Sequence, residues 1–483
     1  MATAKFKETS PYVKPKPAPP EDDYLYKKYL EHLTLKTEKE PIVKVALFGV
    51  GHAGTIHLET MITSRRVQIL YIIDDVKSKW QSIRKYWHLD NVTFLSSKQC
   101  DKVFKDSNVD AVFVATPTIT HKDIVIKALE AKKAVFCEKP IAEDRPSTVK
   151  CYEMAKKVGK PLFTAFNRRF DPSYWNLKQR VHKGEVGHVH MIKRVAHDSP
   201  LLSLEYLKVS GGIFHDCLVH DIDLIVWVLG EYPDKVSVLA HANIPEIKAI
   251  GDFDTVAVNF HFPSGTLGMI DLSRNSPYGY DQRLEVFGPK GMLQADNRQL
   301  NSVHLYNELQ GIITAPIWYS WPSRFMNGYK REFEHFLDVI HDKTESEVKS
   351  KDILAVSVLA HANIPEIKAI GDFDTVAVNL HFPSGTVGMI DLSRNSSYGY
   401  DQRLEAFGPK GMLQAANEQF HSVHAYNKLQ GIITAPIFYS FASRQVEGNP
   451  GVKSKIATAC EKSALVGKIM ELTWTKDELP DNL

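Results

Sequence analysis

Proton-transfer chemistry is most readily placed on the run His215–Asp216–Cys217–Leu218–Val219–His220–Asp221. On a helix, Asp216 and His220 stand four residues apart and share a face. An imidazole titrates near neutrality and can take a hydroxyl proton, while a carboxylate on the same face can orient it or bind the molecule that gives the proton up. A metal centre is the rival chemistry. His215 and His220, five apart, would point about 140° away from each other on an α-helix, and there is no CxxC or HExxH, so no metal is expected. The residues alone also admit a structural Asp–His pair. A second candidate is Lys139 in Glu138–Lys139–Pro140. It follows an apolar run that reads as a strand, and the proline after it fixes the turn.

The run Gly49–Val50–Gly51–His52–Ala53–Gly54 is a GxGxxG that follows one apolar strand-like run and opens a helical pattern. In that setting Gly49 allows a tight turn, Gly51 lets a pyrophosphate approach the backbone and Gly54 lets the helix pack closely. The helix start then offers free N–H groups and partial positive charge, at His52 and Ala53, to the phosphates. Asp74 ends the next strand-like run, 25 residues past Gly49. A carboxylate there accepts ribose hydroxyls and repels a 2′-phosphate, so NAD is expected over NADP. Thr116–Pro117–Thr118–Ile119–Thr120–His121 follows the fourth strand-like run, where the ligand crevice of an open α/β sheet lies. Thr116, Pro117, His121 and Glu138 are therefore also candidates for the cofactor site. Near the positively charged ring of a bound cofactor, Lys139 would be suited to relay a proton.

The elements that must position these residues follow from periodicity. Short apolar runs at Val43–Phe48, Val67–Ile73, Ala111–Ala115 and Ala134–Cys137 suit buried parallel strands. Helical patterns at 53–63, 77–86, 121–131 and 147–158 separate them. Strand and helix alternate as in a doubly wound sheet, which predicts a Rossmann domain over 41–164. After about residue 165 the strands lengthen and alternate, as at 255–262 and 266–272, with Pro263–Ser264–Gly265 as a turn between them. That predicts an α+β domain over 165–355, an open antiparallel sheet with helices on one face, among them 216–229 and 325–341.

Composition limits the rest. The chain has 483 residues with net charge +2, so no concentrated basic surface calls for a nucleic-acid partner. Its 5 cysteines form no CxxC pair and are too sparse for a disulfide scaffold, which favours a reducing compartment. Residues 1–40 read as a flexible leader, with a short helix at 24–32. They lack the apolar core of a signal peptide, and no run approaches the roughly 18 apolar residues of a membrane span. A cytoplasmic protein with no membrane partner is expected.

Taken together, Glu138–Lys139–Pro140 and Gly211–Gly212 followed by Asp216 and His220 resemble the glucose-fructose oxidoreductase / inositol dehydrogenase family of NAD(P) enzymes, the match running from about Val43 to Tyr329. The resemblance implies that Lys139, Asp216 and His220 form the catalytic set. It implies substrate contacts from Arg168 in Phe166–Asn167–Arg168–Arg169–Phe170, from His197 in Ala196–His197–Asp198–Ser199–Pro200 and from Tyr280 in Tyr278–Gly279–Tyr280–Asp281. It further implies oxidation of a cyclic polyol or sugar by NAD, inositol being the nearest branch, and dimers or tetramers assembled through the open sheet face. Two other functions stay in view: an NADP-dependent dihydrodiol-type dehydrogenase and a non-catalytic NAD-binding sensor or scaffold.

One feature departs from the family pattern. Val236–Arg324 recurs as Val356–Arg444, and over these 89 positions 13 differ. The second copy carries Tyr398, Tyr400 and Asp401 but no counterpart of Lys139, Asp216 or His220. It cannot be a second active site. The apolar face of Ile353 and Val356 resumes at Ala457, Cys460 and Ala464, so the copy at 356–454 reads as an insertion into one final helix whose remainder is 455–475. The first copy is expected to hold the ancestral position, because the helical stretch 327–340 follows it directly.

Overall fold

The computed structural model describes residues 41–307 and 311–359, together with strands within 375–381, 387–393, 404–408, 411–416, 422–427 and 431–434. The leader 1–40, its helix and the helix remainder 455–475 lie outside the described residues.

The first layer is the expected doubly wound sheet. Strands β1 (Val43–Phe48), β2 (Val67–Ile73), β3 (Thr93–Leu95), β4 (Ala111–Val114), β5 (Ala134–Glu138) and β6 (Leu162–Ala165) are parallel in the order β3-β2-β1-β4-β5-β6. Every residue of β4 is buried, as a strand covered on both faces must be. Helices α1 (His52–Thr63), α2 (His121–Glu130) and α3 (Arg145–Val158) make crossovers between strands. The strand order turns back on either side of β1, between β2 and β4, which opens a crevice at their carboxyl ends. One face is filled by Phe113, Phe136 and Phe163, stacked at 4.9 and 5.3 Å, with Phe336 of a later helix against all three.

The second layer begins with α4 (Pro172–His182) and β7 (Met191–His197). A π-helical turn, Phe214–Leu218, leads into α5 (Val219–Leu229). The uniform helix expected over 216–229 is therefore wrong at its start, where one turn is widened; such turns recur at functional sites. The first repeat copy supplies β8 (Lys235–His241), β9 (Thr255–His261), β10 (Leu267–Ser273), β11 (Asp281–Gly288) and β12 (Gly291–Ala295). With β7 they form a sheet in the order β12-β11-β7-β10-β9-β8. It is mixed rather than purely antiparallel, because β7 and β10 run parallel. The helix expected over 325–341 is α6 (Trp321–Ile340); it starts earlier because Ser320 and Pro322 make a compatible first turn. The final described helix is α7 (Ser350–Leu359). Buried Arg169 ties it to α5 through Asp223 and Asp352.

The rest of the repeat forms a further sheet. Strands β13 (His304–Asn307) and β14 (Gly311–Thr314) of the first copy join second-copy strands. These are β17 (Leu404–Gly408), β18 (Gly411–Ala416), β19 (Ser422–Asn427) and β20 (Gly431–Thr434), in the order β13-β14-β20-β19-β18-β17. Strands β15 (Thr375–His381) and β16 (Val387–Ser393) form a separate hairpin. The sheet face expected to stay open is not open. Phe407 and Met412 of the second copy lie against Tyr278 on it, and Met389 packs on Met191, Met269 and Phe287.

Candidate active site

The glycine loop is built by close approach. Gly49 has φ +87°, and a Cβ there would meet the Ala115 carbonyl oxygen at 2.5 Å. A Cβ on Gly54 would stand 2.1 Å from the Gly49 carbonyl oxygen. A Cβ on Gly51, by contrast, meets nothing within 4 Å, so this backbone faces open space. Gly51 is the N-cap of α1; no side chain caps the helix and no acidic residue sits in its first turn. The amides near His52 and Ala53 and the positive end of the dipole are thus left for an anion. Asp74, at the carboxyl end of β2, steadies the loop: one carboxylate oxygen accepts from Val50 N at 3.0 Å and the other from Val76 N at 2.8 Å. Carboxylate lone pairs remain for ribose hydroxyls. These residues fit the pyrophosphate and ribose of NAD.

Thr116 and Pro117 follow β4 at the crevice. His121 is 1% exposed, and its two ring nitrogens lie 2.7 Å from the Thr116 carbonyl oxygen and 2.8 Å from that of Pro140. It is a tie between two crevice loops, not a side chain turned toward a ligand. The expectation that His121 contacts the cofactor directly is corrected on that ground. Behind the next turn, Glu138 meets His57 Nε2 at 2.7 Å. Burial alone would push the Glu138 carboxyl up, but the His57 hydrogen bond and the charges of His57, Lys139 and His121 carry it below its usual value.

Lys139 extends from the end of β5 to the second layer. Its Nζ donates to the Asp216 carbonyl oxygen at 2.7 Å and lies 3.4 Å from Asp216 Oδ1. The π-helical turn presents that carboxylate, which also accepts from Tyr206 OH at 3.0 Å and from Arg274 Nη1 at 3.2 Å. Arg274 is fixed in turn by Asp252 at 2.9 Å. One turn on, His220 packs edge-on against Phe166, and its buried Nδ1 has no hydrogen-bond partner. Burial, with the charges of Lys139, Arg168 and Arg194, drives its pKa well below the ordinary histidine value. The imidazole is neutral at physiological pH and can accept a proton.

The side of the cleft formed by the mixed sheet is rich in charge. Arg168 donates to buried Asp221 and reaches the Tyr280 hydroxyl at 3.4 Å. Arg194 donates to the same Asp221 oxygen at 2.8 Å. Asp198 belongs to this group: burial pushes its carboxyl above the usual value, against the charge of Arg168 and with the charges of Asp221 and Asp216. Lys139, Asp216, His220, Arg168 and Tyr280 are therefore brought together.

His197 is not among them. Along β7, Arg194 points to the helices, and the pleat turns His197 to the other face. There its Nδ1 lies 3.0 Å from Tyr278 OH, its Nε2 3.0 Å from Asp271, and its ring 4.3 Å from that of Phe407. The expected substrate contact from His197 is overturned, and its neighbour Asp198 takes the cleft side. Tyr206, Arg274, Asp198 and Arg194 were missed by sequence reasoning. Only Asp198 carried a local signal, standing beside a residue already singled out.

Residues 43–166 match the model of the oxidoreductase family with an NAD-binding Rossmann fold, and residues 174–294 and 335–414 match the GFO/IDH/MocA C-terminal domain. A myo-inositol 2-dehydrogenase from Thermotoga maritima is 36% identical over 325 residues, 66% of this chain and 95% of the relative. This chain belongs to the Gfo/Idh/MocA oxidoreductases. Its first domain is an NAD-binding Rossmann domain. Among solved structures, a myo-inositol dehydrogenase from Corynebacterium glutamicum superposes with TM-score 0.61 at 30% identity, covering 66% of this chain and 95% of that one. A scyllo-inositol dehydrogenase from Lactobacillus casei, solved with NAD(H) and scyllo-inositol, gives TM-score 0.61 at 27% identity, with 66% and 95% covered.

Proposed function

We propose that this member of the family oxidises a secondary hydroxyl of a cyclic polyol of the inositol kind to a ketone. The observation that carries the reading is the junction of Lys139 with Asp216 beside the unpartnered nitrogen of neutral His220, at the carboxyl ends of the Rossmann strands. Support comes from relatives named as myo- and scyllo-inositol dehydrogenases. Bound NAD supplies the hydride acceptor. Gly49, Gly51, His52, Ala53 and Gly54 form its phosphate cradle, Asp74 receives its ribose and disfavours a 2′-phosphate, and Thr116, Pro117 and Glu138 line the loops on either side of the crevice.

In this reading His220 takes the hydroxyl proton. Lys139 donates a hydrogen bond to the same oxygen and steadies the negative charge that builds there. Asp216, held by Tyr206 and Arg274, accepts from a neighbouring hydroxyl. Arg168, Tyr280 and Asp198 grip the hydroxyls on the far side of the ring, where paired donors and acceptors distinguish a polyol from an apolar alcohol.

The test is NADH absorbance with NAD and a panel of myo-inositol, scyllo-inositol and aldoses. Turnover with an inositol that disappears in Lys139→Ala and His220→Ala is expected. NADH binding without turnover on any alcohol would point instead to a sensor. A cytoplasmic setting accords with unpaired Cys100, Cys137, Cys151 and Cys217. No described helix is long and apolar enough to cross a membrane. A dimer or tetramer would have to form through surfaces other than the sheet face covered by the second copy.

A further inference from the structure

The two copies meet symmetrically across the β14–β20 pair and the hairpins beside it, although β18 continues the sheet from β19 whereas its counterpart β12 pairs only with β11. Strands β14 and β20 are the same segment of the repeat, and they pair antiparallel with Ile313 opposite Ile433, Ile312 opposite Thr434 and Thr314 opposite Ile432. Position 313 of one copy thus faces its own counterpart in the other. The flanking hairpins repeat the pattern: His304 pairs with Thr314 as His424 pairs with Thr434. A segment paired with itself about a self-opposed residue is the arrangement of an isologous two-fold contact between subunits.

The side chains continue it. Arg283 of the first copy binds Glu405, the counterpart of Glu285, at 2.5 and 2.9 Å. Gln414 supports Glu405 at 2.6 Å as Gln294 supports Glu285 at 3.0 Å. Met389 packs on a cluster containing its own counterpart Met269. The residues at these repeat positions, 269, 283, 285, 294 and 312–314, are identical in both copies. In the paired strands of the flanking hairpins one position differs: Leu305, paired with Ile313, is Ala425, paired with Ile433, in the second copy. Phe260 and Val286 belong to the core beneath the helices in the first copy, and they are replaced by the smaller Leu380 and Ala406. Leu267, which does lie on the covered face, changes only to Val387.

We infer that the duplicated segment serves as an internal partner: a second copy of a self-complementary sheet surface, carried in the same chain, fills the face by which two chains would otherwise pair. The contact is intramolecular, so it forms at an effective concentration that a separate chain does not match. The candidate cleft residues, from Lys139 to Tyr280, lie on the other side of the sheet, and none belongs to the second copy.

The test uses the full chain with Ile313→Cys and Ile433→Cys, as cross-strand partners are close enough to bridge. Equal amounts of light and isotopically heavy protein are mixed, unfolded, refolded together and oxidised, and the linked peptides are read by mass spectrometry. Linked peptides of a single label, from a band of one-chain mass, are expected. Mixed-label peptides would show exchange between chains and overturn the inference. Absence of the link in protein that still binds NADH would overturn the contact itself. An independent reading comes from Arg283→Cys with Glu405→Cys, treated the same way with a short bis-maleimide cross-linker, because these two side chains meet across the copies. Single-label links are expected, and mixed-label links would refute it.

Discussion

Lys139 and Asp216 are 77 residues apart in sequence, and the lysine ammonium meets the aspartate main-chain carbonyl at 2.7 Å. The contact joins the end of a Rossmann strand to a π-helical turn of the second layer, so the cleft and the interlayer junction are one structure. Replacing Lys139 by alanine is expected to lower kcat by about 10²–10³, the worth of one donor to a developing negative charge, while NADH affinity changes little. Stopped-flow rates and NADH fluorescence titration separate the two. A loss of NADH binding as large as the loss of rate would mean that Lys139 only braces the layers.

If His220 is the base, as proposed, its pKa decides where turnover responds to pH. Its pKa lies well below the ordinary value, so the neutral, proton-accepting form persists on acidification through pH 6.5. The ratio of wild-type to His220→Ala turnover should stay constant between pH 8 and pH 6. A ratio that collapses through the ordinary histidine pKa would remove His220 as the base.

His197 and Asp198 are neighbours with opposite fates. Asp198→Ala is expected to lower kcat/KM for the polyol by roughly ten- to a hundred-fold, the worth of a hydrogen bond to a charged group. His197→Ala should leave kcat/KM intact and destabilise the fold by about 1–3 kcal/mol, because Tyr278 and Asp271 lose a buried partner. Steady-state kinetics and urea melts decide. Reversal of the two effects would mean that the pleat is assigned to the wrong face.

The glycine loop offers a second contrast. Gly54→Ala brings a methyl against the Gly49 carbonyl oxygen and should cost about 1–3 kcal/mol of stability. Gly51→Ala has room, so its melting temperature should hold while NAD affinity falls, as the methyl occupies the phosphate approach. Calorimetric titration of NAD against both variants checks this. Unchanged NAD affinity in Gly51→Ala would place the pyrophosphate elsewhere.

Glu332 is fully buried and neither carboxylate oxygen has a partner. Burial raises its pKa well above the usual carboxylate value, with the charges of Glu138 and Asp223 adding to it. The folded state then holds a proton that the unfolded chain releases above about pH 4.3, so this group costs stability as pH rises from there. Glu332→Gln should raise Tm at pH 8 and have little effect at pH 4. Thermal melts at the two values test it, and destabilisation at pH 8 would show that the carboxylate has a role in its ionised form.

Much of this was legible in local pattern. The glycine spacing, the carboxylate ending β2, Lys139 before its proline, and Asp216 with His220 are signals confined to a few consecutive residues and to strand–helix alternation. What escaped was decided between distant segments. Both faces of β7 are buried, so alternation along it could not say whether His197 or Asp198 faces the cleft. Arg274 and Tyr206 converge on Asp216 from 58 and 10 residues away in sequence, with no shared motif.

By itself the sequence determined the Rossmann order and singled out the glycine loop and the candidates Lys139, Asp216 and His220, because these rest on backbone rules and residue chemistry that act locally. Only the tertiary structure decided which side chains share a cavity, how the π-helical turn aims Asp216, and where the second copy lies. Those outcomes depend on which surfaces complement one another. The repeat shows why: nearly identical sequences take different neighbours, one copy packing under helices and the other against its twin.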